Sequence, residues 1–149
     1  MNNILKFLIL VILTLGVTAY ILVNIPEPET NTYEFSEDVL WGLTQDWRLA
    51  NDGRAYVRDE RLCAYADKRA LEAVIDWSHD GFNEDVDWYY EWLGFDHIAE
   101  NLSRGFDTEQ DTLDAWLNSQ LHRLNLEADY TNSCTKCSGN TCAQIFGAY

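Results

Sequence analysis

The stretch Ala128–Ala148, ADYTNSCTKCSGNTCAQIFGA, decides the fold class of this chain. It carries no helical period. Two short stretches that mix polar and apolar residues, Ala128–Cys137 and Thr141–Ala148, flank Ser138-Gly139-Asn140. The tripeptide is a turn signal, and the pattern predicts a β-hairpin. Working back from it, most of the preceding chain reads as helix. Ile98–Leu102 is a candidate third strand, although five residues do not decide it.

Four helices are expected. Ser36-Glu37-Asp38 starts the first, with Ser as cap and acids in the first turn. Val39, Leu40, Leu43, Trp47 and Leu49 give it an apolar face, Leu49 fitting least well, and Asn51-Asp52-Gly53 ends it. The second runs from Asp59 to about Trp77, where Leu62, Ala66, Ala70, Leu71, Val74 and Trp77 form the clearest helical repeat of the chain. A third fits Asn83 to Leu93, with Gly94 just beyond its end. The fourth spans Thr108 to about Asn118, and Thr108 with Asp111 has capping-box spacing. Helices early and a hairpin late predict an α+β domain in which helices cover a small antiparallel sheet.

The first 25 residues differ in composition. No charged residue occurs from Phe7 to Ile25. At about 1.5 Å per residue that run matches the core of a bilayer. Lys6 precedes it, and Glu27 and Glu29 follow, so the expected orientation is amino terminus inside. Val17-Thr18-Ala19 offers a competing signal-peptide cleavage site. Residues 1–25 therefore read as a signal-anchor or a signal peptide, 26–35 as a linker holding both prolines, and 36–149 as one domain. Either way the domain is extracytoplasmic, attached to the membrane through the amino-terminal helix or secreted after cleavage.

All 25 acidic residues follow residue 26, and the net charge is −15. This excludes nucleic acid as a partner and argues against hugging an anionic lipid surface. Solubility is the ordinary reason for such a charge.

Four segments stand out between the helices and in the hairpin: Ser78-His79-Asp80-Gly81-Phe82, Ala99-Glu100-Asn101-Leu102, Trp116 to Arg123 (WLNSQLHR), and Ala143-Gln144-Ile145-Phe146. In this order, after Leu62 and Ala66, they resemble the CAP superfamily, the cysteine-rich secretory, antigen 5 and pathogenesis-related proteins, in its short bacterial SCP form. The resemblance covers Ser36 to the end. It implies an α-β-α sandwich, and a role in contacting a lipid, a sterol or another protein. It also implies that His79, Glu100 and His122 line a cleft, which in some members holds a divalent metal. Departures are Ala99 for the usual Gly, and Gln120-Leu121 for the usual Pro-x. Where larger members have a second Glu, Asn118 and Ser119 stand nearby, leaving the cleft one carboxylate.

As residues, two imidazoles and a carboxylate are three ligands for zinc, with a fourth position for water. A metal-assisted hydrolase is the alternative function on that ground. The plainer alternative is that the three side chains hydrogen-bond to one another or to the backbone and tie helices to sheet. His97 is a further possible donor, more often simply solvated. Asn101-Leu102-Ser103 is a glycosylation sequon, which the resemblance places in a packed motif. Trp77, Trp88, Tyr89, Tyr90 and Trp92 form either core and its edge or, less favoured, a binding groove.

Four cysteines in an exported chain favour two disulfides with three possible pairings. Cys137–Cys142 across the turn with Cys63–Cys134 is the preferred pairing. A four-cysteine zinc site is the rival.

Overall fold

The structure is a computed structural model that describes residues 33–51 and 53–149, and only the backbone of Val86, Trp88 and Tyr89. The elements follow as α1 (Glu37–Ala50), β1 (Val57–Arg58), α2 (Glu60–Ile75), α3 (Asp80–Leu93), β2 (His97–Arg104), α4 (Glu109–Asn118), α5 (Gln120–Glu127), β3 (Asn132–Ser138) and β4 (Thr141–Ala148). The predicted anchor or signal segment lies outside the described residues. None of the described helices is long and apolar enough to cross a membrane.

The hairpin forms the middle of the sheet, whose strand order is β1-β3-β4-β2. β4 pairs antiparallel with β3 on one side and with β2 on the other. β2 extends beyond the five residues expected, because every residue from His97 to Arg104 finds a partner on β4. β3 begins at Asn132 rather than near Ala128, since α5 occupies the chain up to Glu127. The sheet is not wholly antiparallel. β1, absent from the sequence reading, adds a two-residue parallel pair at the β3 edge.

Side chains alternate along β4 and so feed two cores. Ile145 joins Leu62, Cys63, Tyr65, Ala66, Leu93, Phe95, Ile98 and Cys134 under α2 and α3. Ala143 meets Ala70, Ala73 and Leu102. On the opposite face Cys142 and Phe146 join Leu40, Tyr56, Leu113, Trp116 and Leu126 under α1, α4 and α5. Helices thus cover both faces, and the α+β sandwich expected from the sequence is present.

The helix starts at Ser36 and Thr108 are capped as read, and Asp59, read as the start of its helix, is that helix's cap. Ser36 Oγ accepts from the Val39 amide, Asp59 Oδ1 from the Arg61 amide and Thr108 Oγ1 from the Asp111 amide. α3 starts earlier than expected, at Asp80. His79 takes the N-cap position, and Asn83 donates its amide to the His79 carbonyl inside the first turn. Gly94 ends this helix in the left-handed conformation at φ 69°. α2 ends at Ile75, before Trp77. Its buried face is Leu62, Cys63, Tyr65, Ala66, Arg69, Ala70 and Ala73. Leu71, Val74 and Trp77, expected in the core, are exposed. Ala66, Ala70 and Ala73 take the sheet-facing positions beside Leu62 and Tyr65, which leaves Leu71 and Val74 on the outer face of the helix.

The preferred disulfide pairing is the one present: Cys63–Cys134 and Cys137–Cys142. The first pins α2 to β3 across 71 residues, worth on the order of 4 kcal/mol in the chain-entropy account. The second joins two residues directly opposite in the hairpin register. With all four cysteines bonded, the rival zinc site has no thiolates to use.

A buried arginine closes the end of the second core. Arg48 on α1 is 4% exposed. Its Nε donates to the Arg54 carbonyl at 2.6 Å, Nη1 to Tyr56 Oη at 2.6 Å and to the Leu126 carbonyl at 3.0 Å, and Nη2 to the Tyr130 carbonyl at 2.9 Å. One guanidinium therefore ties α1 to the loop before β1 and to the chain between α5 and β3. Burial pushes the Tyr56 hydroxyl pKa up to about 12, so it stays a neutral partner.

Candidate functional site

The site lies at the β2 edge of the sheet, around Glu100. Residues 98, 100 and 102 of β2 face α2, so the Glu100 side chain is directed into the first core. Its neighbour Asn101 faces α5 instead. The break between α4 and α5 delivers His122. Ser119 takes an extended conformation, ends α4 by donating its amide to Ala115 and Trp116, and starts α5 three residues before His122. Trp116 fixes this corner, since its indole N–H donates to the Leu102 carbonyl at 2.9 Å. His79 arrives from the other layer, at the start of α3.

The three residues singled out in the sequence do come together. His79 Nδ1 lies 3.2 Å from Glu100 Oε1. The His79 and His122 rings are 6.2 Å apart, inclined at 49°. His79 is half exposed, whereas the Glu100 side chain is 1% exposed. Burial lowers the pKa of His122, the charge of His79 lowers it further, and Glu100 opposes both.

A fourth residue, not singled out in the sequence, dominates the arrangement. Arg69 on α2 is 2% exposed and holds the Glu100 carboxylate with two nitrogens. Nε donates to Oε2 at 2.9 Å and Nη2 to Oε1 at 3.3 Å. Nη2 also donates to the Ser78 carbonyl at 3.0 Å, and Nη1 pairs with Glu72. Burial alone would depress the Arg69 pKa, but Glu100 and Glu72 outweigh it and hold the guanidinium above its ordinary value. Gly81 makes room. A Cβ there would stand 2.2 Å from Arg69 Nη1. The glycine of the Ser-His-Asp-Gly-Phe segment thus belongs to the arginine's seat. A signal for Arg69 was present in the sequence. It lies on the same helical stripe as Leu62, Ala66 and Ala73, and an arginine on a core-facing stripe needs a buried partner.

The donor set can be tested against a divalent metal. Both Glu100 oxygens already accept from Arg69 or His79. A cation bound to them would stand within about 4 Å of the guanidinium, where unit charges repel by about 4 kcal/mol at an effective dielectric near 20, and a divalent ion by twice that. Among the described residues no group of three His, Cys, Asp or Glu side chains is placed to hold a metal ion. The expected zinc set His79, Glu100 and His122 is therefore assembled but does not fit the ion as it stands.

The remaining expectations divide. His97 is exposed at the start of β2, on the face away from Glu100, and does not join the cluster. Asn101 is fully buried. Its Nδ2 donates to the His122 carbonyl at 3.0 Å, and its Oδ1 accepts from Asn125 at 2.8 Å, so the sequon is closed to modification in the folded protein. Asn125 also donates to the Glu100 carbonyl at 3.1 Å, which satisfies this edge of β2. Of the aromatic run, Tyr90 packs on the first core, while Trp77 and Trp92 are half exposed. A cleft of about 340 Å³ opens beside Arg69, bordered by Glu72, Asp76, Ser78, Asp80 and Glu84. Larger hollows of about 520 and 660 Å³ lie elsewhere, near Phe35 and near Arg54.

No family model and no curated protein matches the chain. Solved structures do. An extracellular protein containing an SCP domain from Bacillus anthracis is 21% identical with a TM-score of 0.66, over 76% of this chain and 40% of that one. A cysteine-rich secretory protein from Staphylococcus aureus is 18% identical with a TM-score of 0.66, over 83% of this chain and 40% of that one. An outer surface protein of Borrelia burgdorferi is 20% identical with a TM-score of 0.57, over 74% of this chain and 90% of that one. The chain thus spans about two fifths of the first two proteins. These likenesses establish the fold: it is that of the SCP, or CAP, domain.

Proposed function

We propose that the chain is an extracytoplasmic SCP-type binding module without a catalytic centre, and that its ligand is a lipid, a sterol or another protein. One observation carries the non-catalytic reading. Glu100, the carboxylate of the His79–Glu100–His122 set, is buried and clamped by Arg69, so it is not free to take a proton from a water or a substrate. Every cysteine is in a disulfide, so none is free to act as a nucleophile beside the histidines. Export is supported by those two disulfides, which persist in oxidising compartments. It is supported too by the apolar amino-terminal run and by the extracellular, secretory and outer-surface descriptions of the three structural relatives. The exposed Trp77 and Trp92 suit contact with a partly apolar ligand and give a direct readout.

The test is a titration of the full chain with sterol and with neutral phospholipid vesicles, followed by tryptophan fluorescence, alongside ester and peptide hydrolysis assays. Saturable quenching or a blue shift, reduced by Trp77→Ala, with no hydrolysis is expected. Hydrolysis that chelation abolishes and that His79→Ala and His122→Ala remove would replace this reading with the metal-assisted hydrolase.

A further inference from the structure

We propose that Arg69 is the resident cation of the cleft: its guanidinium occupies the electrostatic place of a divalent metal and keeps the His79–Glu100–His122 set metal-free. The inference rests on the geometry of the cluster and not on the identity of any ligand.

Four observations meet at this point. The guanidinium is surrounded by oxygen acceptors, namely both oxygens of Glu100, one of Glu72 and the carbonyl of Ser78. That is the kind of shell a hard cation takes. Arg69 and Glu100 are both almost wholly buried, at 2% and 1% side-chain exposure, so bulk solvent does not screen the charge. Gly81 leaves the space the guanidinium fills. Finally, His79 lies at hydrogen-bond distance from the same carboxylate, and the His122 ring is 6.2 Å from the His79 ring. With the arginine charge removed, the carboxylate and two imidazoles would form a three-ligand set of the type zinc accepts. With it present, the carboxylate is already neutralised and a second cation is repelled.

The experiment is a zinc titration of the chelator-treated full chain, read from histidine side-chain NMR signals. There are three histidines, and His97, exposed on the other face of β2, serves as the internal control. In the wild type, His79 and His122 are expected to respond no more than His97 does. In Arg69→Met they are expected to shift together and saturate at one equivalent, at least about tenfold tighter than any site in the wild type, the scale on which shells around a metal tune its affinity. Arg69→Lys, which keeps the charge, is expected to behave like the wild type. Saturable zinc at His79 and His122 in the wild type or in Arg69→Lys overturns the proposal. So does a folded Arg69→Met that gains nothing. Should circular dichroism show that Arg69→Met does not fold, Arg69→Gln, which removes the charge but keeps a hydrogen-bond donor for Glu100, is titrated in its place with the same two outcomes.

Discussion

Two buried arginines divide the work of this molecule differently. Arg48 sits at 4% exposure and gives its hydrogen bonds to three backbone carbonyls and a tyrosine hydroxyl, all neutral. Arg69 sits at 2% exposure and gives most of its own to two carboxylates. The first is a clasp. It gathers chain segments far apart in sequence, and no single partner defines it. The second is half of an ion pair, so its energetics depend on what Glu100 is. The same side chain, equally buried, is structural in one place and sets the electrostatics of a cleft in the other.

Removing one charge from each place sharpens the contrast most. Arg69→Met leaves the Glu100 carboxylate buried without its counter-charge and is expected to cost about 4 kcal/mol, measured by urea unfolding. Arg48→Met strands the Arg54 and Tyr130 carbonyls, while the Leu126 carbonyl keeps the Tyr56 hydroxyl. It is expected to cost somewhat less, about 3 kcal/mol. A second change then separates the two. Adding Glu100→Gln to Arg69→Met returns about 1–3 kcal/mol, because it removes the stranded charge. Adding Tyr56→Phe to Arg48→Met returns nothing comparable. Equal coupling in both cycles would erase the distinction drawn between clasp and ion pair.

The smallest expected effect is a pH dependence confined to the Arg69 side. Burial, reinforced by His79, holds the His122 pKa below its usual 6.5. The folded protein therefore resists a proton that the unfolded chain accepts. Stability is full above that usual value and declines as pH falls from it through the folded His122 value. His122→Gln should flatten this part of the stability–pH curve, while Arg48→Met should leave its shape unchanged.

Much of the scaffold was legible in the chain. Ser36, Asp59 and Thr108 announced their helices because a cap is a local hydrogen bond. Thr141–Ala148 and the hairpin turn were readable for the same reason, and the hairpin made its cross-turn disulfide readable too. α5 was not: it is eight residues long, and Leu121 and Leu124 are exposed while Leu126 alone is buried, so its apolar residues do not mark its packed face. β1 is two residues long and exists only through its pairing with β3. At the site, His79, Glu100 and His122 were legible through the family resemblance. Arg69 and Arg48 were not, since a long-range ion pair or clasp has no local signature beyond a charged residue standing on an apolar face. The apolar weight given to Leu71, Val74 and Trp77 misled for a related reason. Hydropathy marks which residues are apolar, while the register of α2 on the sheet buries Leu62, Tyr65, Ala66, Ala70 and Ala73 and leaves Leu71 and Val74 outside.

The central position of β4 has a consequence for biosynthesis. β2 pairs with no other strand, and both cores need side chains from residues 142–146. Until those residues leave the ribosome, β2 has no neighbour and neither helical layer has a surface to settle on. A nascent chain of this design can form its capped helices but completes neither core before residues 142–146 are available. Once residues 142–146 are in place, both disulfides close on a finished sheet.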